Sequence, residues 1–500
     1  MTYGRVAASI VLVLLLGLIG SLSGPGWNPE PLQQTLVPES PDTTIGSDVL
    51  TTPVGTYEVR SQVVDVAVDE DVEVRATVRE PVGAVGDRPA VLFMHGAGTA
   101  THQNFADITT ALSSAGIVTM VPDKRMDTYS TRYRDYHAMA EDYHDSVEVL
   151  RQHPSVDPDQ VGVYGESEGA FVAPVTAAES DDVSFVILVS APVVTPREQA
   201  AFAVDSYLSE LGVPERVLRA IPRAVGAEIP GGGFEYADFD VSEYQQQLDD
   251  EPVLMVYGTD DASMPTVQGP QQLIEDLEEA GSNAYTIRYY ADANHGIRVD
   301  GELAPSFPDD AARWVLGLPQ TADAPPKVAG AEPEQRFRAE PVDHPRWYAS
   351  GDMIVITVLV GLGLVALSVV LWLVGRLLRV VRARPRPLVP PLGRMTTGLV
   401  VATLATWALF IAYLMEVADL ALNYRSDPVL VQGGWLAVQA VGVLAGALMV
   451  FSAAHAMQVL RARTPERPGV VAWSVYGSAH LGCLVLLVNA AYWGVFPAVL

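Results

Sequence analysis

The 500-residue chain predicts an α/β fold, a mostly parallel sheet with helices on both faces and a small cap insertion, joined to an all-α bundle of apolar helices. Three observations carry this. Between residues 57 and 318, short apolar runs alternate with amphipathic stretches at helical spacing, the pattern of βαβ units. One run, Val161-Gly162-Val163-Tyr164, leads directly into Gly165-Glu166-Ser167-Glu168-Gly169, a tight strand-to-helix junction. Five further apolar runs, each close to the roughly 20 residues that cross a hydrocarbon core, lie outside this region.

Taken in order, Tyr57 to Glu80 alternates apolar and polar residues around the acidic turn Asp69-Glu70-Asp71, which predicts an antiparallel hairpin opening the sheet. Pro89 to Met94 is an apolar strand running into His95-Gly96-Ala97-Gly98. Phe105 to Ala115 reads as a helix closed by Gly116, and Ile117 to Val121 as a strand. Tyr133 to Gln152 is a long amphipathic helix, Ser167 to Glu179 the helix behind the junction, and Val183 to Val189 another strand. Thr195 to Asp250 interrupts the pattern with helical pieces, Pro222, Pro230 and Gly231-Gly232-Gly233, and predicts a small cap at about 195–250. Its Phe202, Tyr207, Phe234, Tyr236 and Phe239 either line an acyl pocket or pack the cap onto the core. Two strands, Pro252 to Gly258 and Ala284 to Tyr290, complete the sheet.

The chemistry collects at the carboxyl ends of these strands, where open α/β sheets gather their sites. In Gly165-Glu166-Ser167-Glu168-Gly169 the flanking glycines keep a strained turn free of side-chain collisions, so the Ser167 hydroxyl projects over the sheet edge as a candidate nucleophile. Two aspartates, Asp260 and Asp261, follow the strand that ends at Gly258. His295 lies just past Tyr290, in Ala293-Asn294-His295-Gly296. Ser167 could instead be a helix N-cap and His295 a hydrogen-bonded loop residue, but nucleophile, acid and base candidates at three strand ends fit acyl transfer better.

The segment Gly165-Glu166-Ser167-Glu168-Gly169-Ala170-Phe171-Val172-Ala173-Pro174 resembles the Gly-His-Ser-Glu-Gly-Gly pattern, followed by an aliphatic pair and Ala-Pro, of a group of bacterial α/β-hydrolases. That group includes carboxylesterases and serine aminopeptidase-like and prolyl-oligopeptidase-like hydrolases. Pro122-Asp123-Lys124-Arg125 resembles its Asp-Lys-Arg-Gly turn, and His95-Gly96 its oxyanion loop. The chain departs from the pattern at Met126, where glycine is expected, and at Glu166, which replaces a histidine. The resemblance spans about residues 58–318. It implies the triad order Ser167, Asp261, His295, since Gly-x-x-Asp with Pro265 beyond is the usual spacing, with Asp260 the alternative acid. It also implies an oxyanion hole from the backbone N–H groups of Ala97 and Glu168, with His95 ordering the loop.

Other histidines fall in or beside the 133–152 helix. His137 and His144 are seven apart and could share a face, but no further metal-ligand pattern accompanies them, so His102, His137, His144 and His153 read as surface or packing residues. No metal or organic cofactor is implied.

The apolar runs are Val6–Leu22, Met353–Val374, Thr396–Met415, Trp435–Val459 and Val470–Val499. Arg376, Arg379, Arg382, Arg384, Arg386 and Arg394 crowd one connection, and Arg461, Arg463 and Arg467 another. The connection between these carries Glu416, Asp419 and Asp427 against Arg425. By the positive-inside rule the arginine-rich loops are cytoplasmic, which places the α/β domain outside the cell membrane. The first run is an uncleaved anchor or a signal peptide cut after Ser23. Residues 6–350 carry a net charge of −35, and residues 351–500 a net of +5. So acidic a domain repels nucleic acid and anionic headgroups. The single cysteine, Cys483, lies in the last run, so the α/β domain must be stable without disulfides. Gln439, His455, His480 and Asn489 are polar residues inside the runs, expected to hydrogen-bond between helices.

The expected layout is an anchor or signal peptide at 1–22, a spacer at 23–56, a catalytic domain at 57–318, a flexible linker at 319–350 and a four-helix transmembrane region at 351–500. The expected activity is extracytoplasmic serine hydrolysis of a carboxylic ester on a small-molecule or lipid-like acyl substrate. A peptide or amide substrate, or transfer to another acceptor, is the alternative. The rival from another class is a membrane sensor or scaffold with an inactive hydrolase domain.

Overall fold

The computed structural model describes the chain except residues 1, 24–27, 34, 47–48, 131–132, 219, 226–235, 344–345, 383–387, 389, 423–424, 426, 462–467 and 498–500. Pro230, the Gly231–Gly233 run, Phe234, Arg384, Arg386, Arg463 and Arg467 lie outside the described residues. The chain divides into two units. One comprises residues 29–203 and 234–341; the other comprises residues 1–28, 204–233 and 342–500.

The first unit is built on a nine-stranded sheet. Its strands are β1 (Val59–Asp69), β2 (Val72–Pro81), β3 (Arg88–Met94), β4 (Val118–Pro122), β5 (Val156–Glu166), β6 (Val186–Val189), β7 (Val253–Gly258) and β8 (Tyr285–Tyr290). A short hairpin follows, β9 (Arg298–Val299) with β10 (Glu302–Leu303), and then β11 (Val328–Gly330). The spatial order is β1-β2-β4-β3-β5-β6-β7-β8-β11. β1 and β2 form the expected antiparallel hairpin, β2 meets β4 antiparallel, and from β4 onward every pairing is parallel.

Strand alternation sends side chains to two cores. Along β3, Ala90, Leu92 and Met94 join one cluster, while Val91 and Phe93 join the other. Along β7, Val253, Met255 and Tyr257 oppose Leu254 and Val256 in the same way. Helices Tyr136–Arg151, Gly169–Ala178 and Gln268–Ala280 cover the first face, and Ala106–Ser114 and Phe307–Gly317 the second. Each fully buried Val, Leu or Phe contributes about 1.5–3 kcal/mol, so two cores of this kind stabilise the unit without a disulfide. The only cysteine, Cys483, lies elsewhere.

Two stretches differ from the flexible tethers expected at 23–56 and 319–350. Val328–Gly330 adds to β8 as the sheet's ninth strand, Ser40 bridges to Ala329, and Pro31 bridges to Phe337. Ile45 is buried in the second core. The proline- and alanine-rich composition concealed these contacts because their order comes from pairing with an existing sheet edge.

The stretch expected as one cap also divides. Helix Pro196–Glu210 begins in the first unit and continues into the second. Phe239 packs on Tyr136 and Phe171 in the first unit's core, and Phe202 packs on Phe337, so both have packing partners. Tyr236 lies against the Arg197 guanidinium.

Among the described residues of the second unit, five helices are long and apolar enough to cross a membrane: Tyr3–Leu22, Gly351–Leu378, Pro390–Leu420, Val429–Arg461 and Val470–Tyr492. Small residues set their approach. A Cβ on Gly482 would lie 2.7 Å from the Gly361 carbonyl oxygen, and one on Gly20 would collide with the Ala491 carbonyl. Inter-helix hydrogen bonds join Asn489 Nδ2 to Thr357 Oγ1 (2.9 Å) and His480 Nε2 to Ser452 Oγ (3.1 Å). Val213 and Val217, from the inserted segment, are buried in the same cluster as Leu16, Val365 and Leu486.

Candidate active site

Ser167 stands between the end of β5 and helix Gly169–Ala178 with φ 56°, a left-handed conformation rare for a residue with a side chain. Such a conformation costs about 1–2 kcal/mol and persists because its surroundings leave no alternative. A Cβ on Gly165 would collide with the Gly169 carbonyl, and one on Gly169 with the Met94 carbonyl. These two positions therefore require glycine. The Ser167 N–H donates to the Val189 carbonyl (3.0 Å), which ties the turn to the end of β6.

Asp261 and His295 come together from the ends of β7 and β8. His295 Nδ1 lies 2.9 Å from Asp261 Oδ2. The other carboxylate oxygen, Oδ1, accepts from the Ser263 hydroxyl (2.6 Å) and the Ser263 N–H (3.0 Å). The Asp261 side chain is fully buried, whereas Asp260 is exposed and uses its N–H on the Ala293 carbonyl. Because Oδ2 can only accept from His295, the imidazole proton is assigned to Nδ1, and Nε2 is left as an acceptor. A Cβ on Gly258 would collide with the Ala293 carbonyl, so the end of β7 packs directly on the histidine loop.

No hydrogen bond joins the Ser167 hydroxyl to His295 among the described residues. Backbone connects them instead. Ser190, beside Val189, donates its hydroxyl to the His295 carbonyl at 2.6 Å and is itself fully buried with φ 47°.

On the other flank, β3 delivers His95-Gly96-Ala97-Gly98. A Cβ on Gly96 would lie 3.2 Å from Ser167 Cβ, so this loop runs against the elbow. Gly98 takes φ 97°, which favours glycine. His95 is buried. Its ring donates from Nε2 to the Pro122 carbonyl (2.7 Å), and its backbone N–H donates to the Tyr143 hydroxyl (3.0 Å). Burial holds its pKa down to about 4 despite the hydrogen bond to Pro122, so it orders the loop as a neutral ring. Among the described residues, neither the Ala97 N–H nor the Glu168 N–H has a protein acceptor outside regular helix and strand bonding. The Glu168 carboxylate points to a buried ion pair with Lys124 (2.6 Å). A cleft of about 280 Å³ borders this loop, lined among others by His95, Ala97, Tyr164, Glu166 and Arg298.

Residues 140–315 match the family described as the BAAT / Acyl-CoA thioester hydrolase C terminal. With the parallel sheet, the strand–turn–helix elbow and this match together, the fold is decided. The first unit has the α/β-hydrolase fold. A polyketide transferase, ATR5, of Stachybotrys chlorohalonatus is 30% identical over 169 residues, covering 30% of this chain and 57% of that one. The match thus spans somewhat over half of the relative's length. An esterase from the hyperthermophilic archaeon Pyrobaculum calidifontis is 18% identical, with a TM-score of 0.39, over 53% of this chain and 85% of that one. A dienelactone hydrolase from Anabaena variabilis is 18% identical, with a TM-score of 0.34, over 51% and 96%.

The electrostatics of the candidate site follow from burial and pairing. Burial pushes the Asp261 carboxyl upward, but the His295 charge and the hydrogen bonds from His295 and Ser263 outweigh it and hold its pKa below the ordinary value. Burial likewise disfavours the His295 imidazolium, yet Asp261, with a smaller contribution from Glu166, raises its pKa above the ordinary 6.5. Burial raises the Glu166 carboxyl, with His295 and Arg298 opposing it in part. Ser263, Ser190 and Lys124 were not singled out from the sequence as site residues; Ser263 follows Asp261 by two, the one local signal available. His137 and His144 do not share a site: His137 contacts Glu179 and Tyr244, whereas His144 donates or accepts at Ser180. His144 does gather with Glu148 and Asp182, but Arg151 already pairs with Asp182.

Proposed function

We propose that the chain is a membrane-anchored serine hydrolase that cleaves carboxylic esters, thioesters included, through an acyl-enzyme. The observation that carries this reading is the His295 Nδ1–Asp261 Oδ2 pair at 2.9 Å, which leaves Nε2 as an acceptor at the same sheet edge as the strained Ser167. Ser167 Oγ attacks the substrate carbonyl as His295 Nε2 takes its proton. Asp261 stabilises the imidazolium and keeps its tautomer. The Ala97 and Glu168 N–H groups receive the oxyanion, an interaction worth about 3 kcal/mol per donor. His295 then returns the proton to the leaving group, and water repeats the sequence on the acyl-enzyme. No proposed step calls for a metal or organic cofactor.

Two comparisons support acyl transfer in particular: the matching family is described by acyl-CoA thioester hydrolysis and the curated relative as a transferase. The hydrolysis reading and transfer to an alcohol share every step up to the acyl-enzyme. Labelling with a fluorophosphonate probe tests the shared part. Wild-type protein should label and a Ser167→Ala variant should not; an unlabelled wild type favours the sensor or scaffold reading.

The arginine-rich connections support an orientation with the hydrolase outside the cytoplasm. Leu16, almost fully buried among the apolar helices, and Gly20, set against Ala491, support a retained first helix. Cysteines introduced between residues 376 and 394 should be shielded from impermeant thiol reagents on intact cells. Labelling there on intact cells would reverse the orientation.

A further inference from the structure

Lys124 and Glu168 pair at 2.6 Å with side chains only 2% and 4% exposed. Removing two charges from water costs several kcal/mol per ion, so such a pair calls for a reason beyond stability. Lys124 belongs to the Pro122-Asp123-Lys124-Arg125 turn after β4, whose role the mechanism leaves open. Its Nζ also donates to the Gly96 carbonyl (2.9 Å) and lies 3.7 Å from the centre of the Tyr129 ring. The Tyr129 hydroxyl donates to the same Glu168 oxygen (2.9 Å) and accepts from the Gly98 N–H (2.9 Å). Arg134 approaches the second Glu168 oxygen at 3.0 Å.

The peptide that Lys124 grips is the one that matters. The Gly96 carbonyl and the Ala97 N–H belong to a single amide, and in a planar trans peptide they point in opposite directions. A cation on the oxygen therefore fixes the plane with the N–H turned away from Lys124. It also draws electron density toward that oxygen, which strengthens the N–H as a donor. Tyr129 fixes the Gly98 N–H on the far side of Ala97, so both peptides flanking this residue are held. Glu168 completes the arrangement, since its carboxylate holds Lys124 and Tyr129 while its own N–H is the second proposed donor.

We propose that Lys124, held by Glu168 and Tyr129, is a positioning residue that orients and polarises the Gly96–Ala97 peptide of the oxyanion hole. This rests on the acyl-transfer reading of Ser167. The neighbouring charge that bears on it, besides Glu168, is Arg134.

The test is steady-state hydrolysis of p-nitrophenyl acetate by the full chain in detergent, with inhibition by phenylboronic acid measured alongside. Wild type against Ser167→Ala comes first: a wild type without turnover, or a Ser167→Ala variant that retains it, overturns the acyl-transfer reading and this proposal with it. The double variant Lys124→Met/Glu168→Gln then removes both charges at nearly constant volume. Weakening one oxyanion donor should lower kcat about ten- to thirtyfold, less than the hundredfold or more of deleting a donor outright. KM should stay within about twofold, the boronate Ki should rise by the factor that kcat/KM falls, and the acid limb of the pH profile should not move. Tyr129→Phe, which keeps the ion pair, should show the same signature at about three- to tenfold, and decides alone if the double variant does not fold. A kcat within twofold of wild type in a folded variant overturns the proposal. So does a rate loss that travels with the acid limb, because that places the damage at His295.

Discussion

Replacing Ser190 by alanine should damage catalysis although this residue touches neither substrate nor triad side chain. Its fully buried hydroxyl donates to the His295 carbonyl at 2.6 Å. The rest of the histidine loop is held by its own contacts, with Asn294 Oδ1 accepting from the Gly296 N–H (3.0 Å) and the Arg298 N–H (3.2 Å). Ser190 is therefore the side chain that fastens His295 itself to the end of β6, where Ser167 is also fastened through Val189. Losing the bond removes about 1 kcal/mol net, and the orphaned carbonyl adds up to about 1 kcal/mol more. Since 1.4 kcal/mol is about tenfold in an equilibrium, an aligned loop disfavoured by 1–2 kcal/mol predicts a fall in kcat/KM of about five- to thirtyfold. The assay is ester hydrolysis by the purified chain, with the melting temperature recorded in parallel. Ser190→Gly separates the two effects of the substitution. Its backbone suits φ 47°, so it should lose less stability than Ser190→Ala while losing the same activity. If both variants fold and keep kcat/KM within twofold of wild type, the tie does not align His295 and the reasoning is wrong.

Further outcomes can be checked. Asp261→Asn should lower kcat about a thousandfold or more by leaving the wrong imidazole tautomer, whereas Asp260→Asn, at an exposed position, should change it less than threefold; equal losses would leave the acid unassigned. Glu166→Gln should move the acid limb of kcat/KM to lower pH. Catalysis needs neutral His295, and Glu166 contributes to raising the pKa of that imidazole, so removing its charge lets the proton leave at lower pH; a limb that stays or rises contradicts this. By the same shift, His295 protonation stabilises the fold below the ordinary value of 6.5 and loses that contribution as pH rises through the raised folded value. Gly258→Ala should cost about 1–3 kcal/mol or more by driving a methyl group into the Ala293 carbonyl. Gly46→Ala, with open space around it, should leave the melting temperature within a degree or two of wild type.

The elements closest to the chemistry were legible because their signals are local. A strand running into Gly-x-Ser-x-Gly can make that turn only with glycine at Gly165 and Gly169, and the collisions their Cβ atoms would suffer are the steric rule behind the motif. Apolar runs such as Val253–Gly258 and Tyr285–Tyr290 appear as strands with almost the limits expected, since a fully buried parallel strand has no polar face to blur its pattern. The long apolar helices were equally plain. What composition concealed was anything whose order is borrowed from a neighbour. Val328–Gly330 is three residues in a proline-rich stretch, and it is a strand because β8 offered an unpaired edge. The inserted segment around Val213 and Val217 is ordinary in its hydrophobicity, and only packing assigns those side chains to the cluster of apolar helices and Phe239 to the core of the sheet.

Sequence alone thus determined the fold class, the strand ends that carry Ser167, Asp261 and His295, and the apolar helices, because each depends on residues adjacent in the chain. Tertiary structure decided which aspartate meets the histidine, burying Asp261 against His295 while Asp260 faces water. It also decided what holds the site. Ser190 reaches His295 across 105 positions and Lys124 reaches Glu168 across 44. No spacing rule encodes such pairs; they exist because parallel strands bring their carboxyl ends to one edge, where a buried donor must find an acceptor.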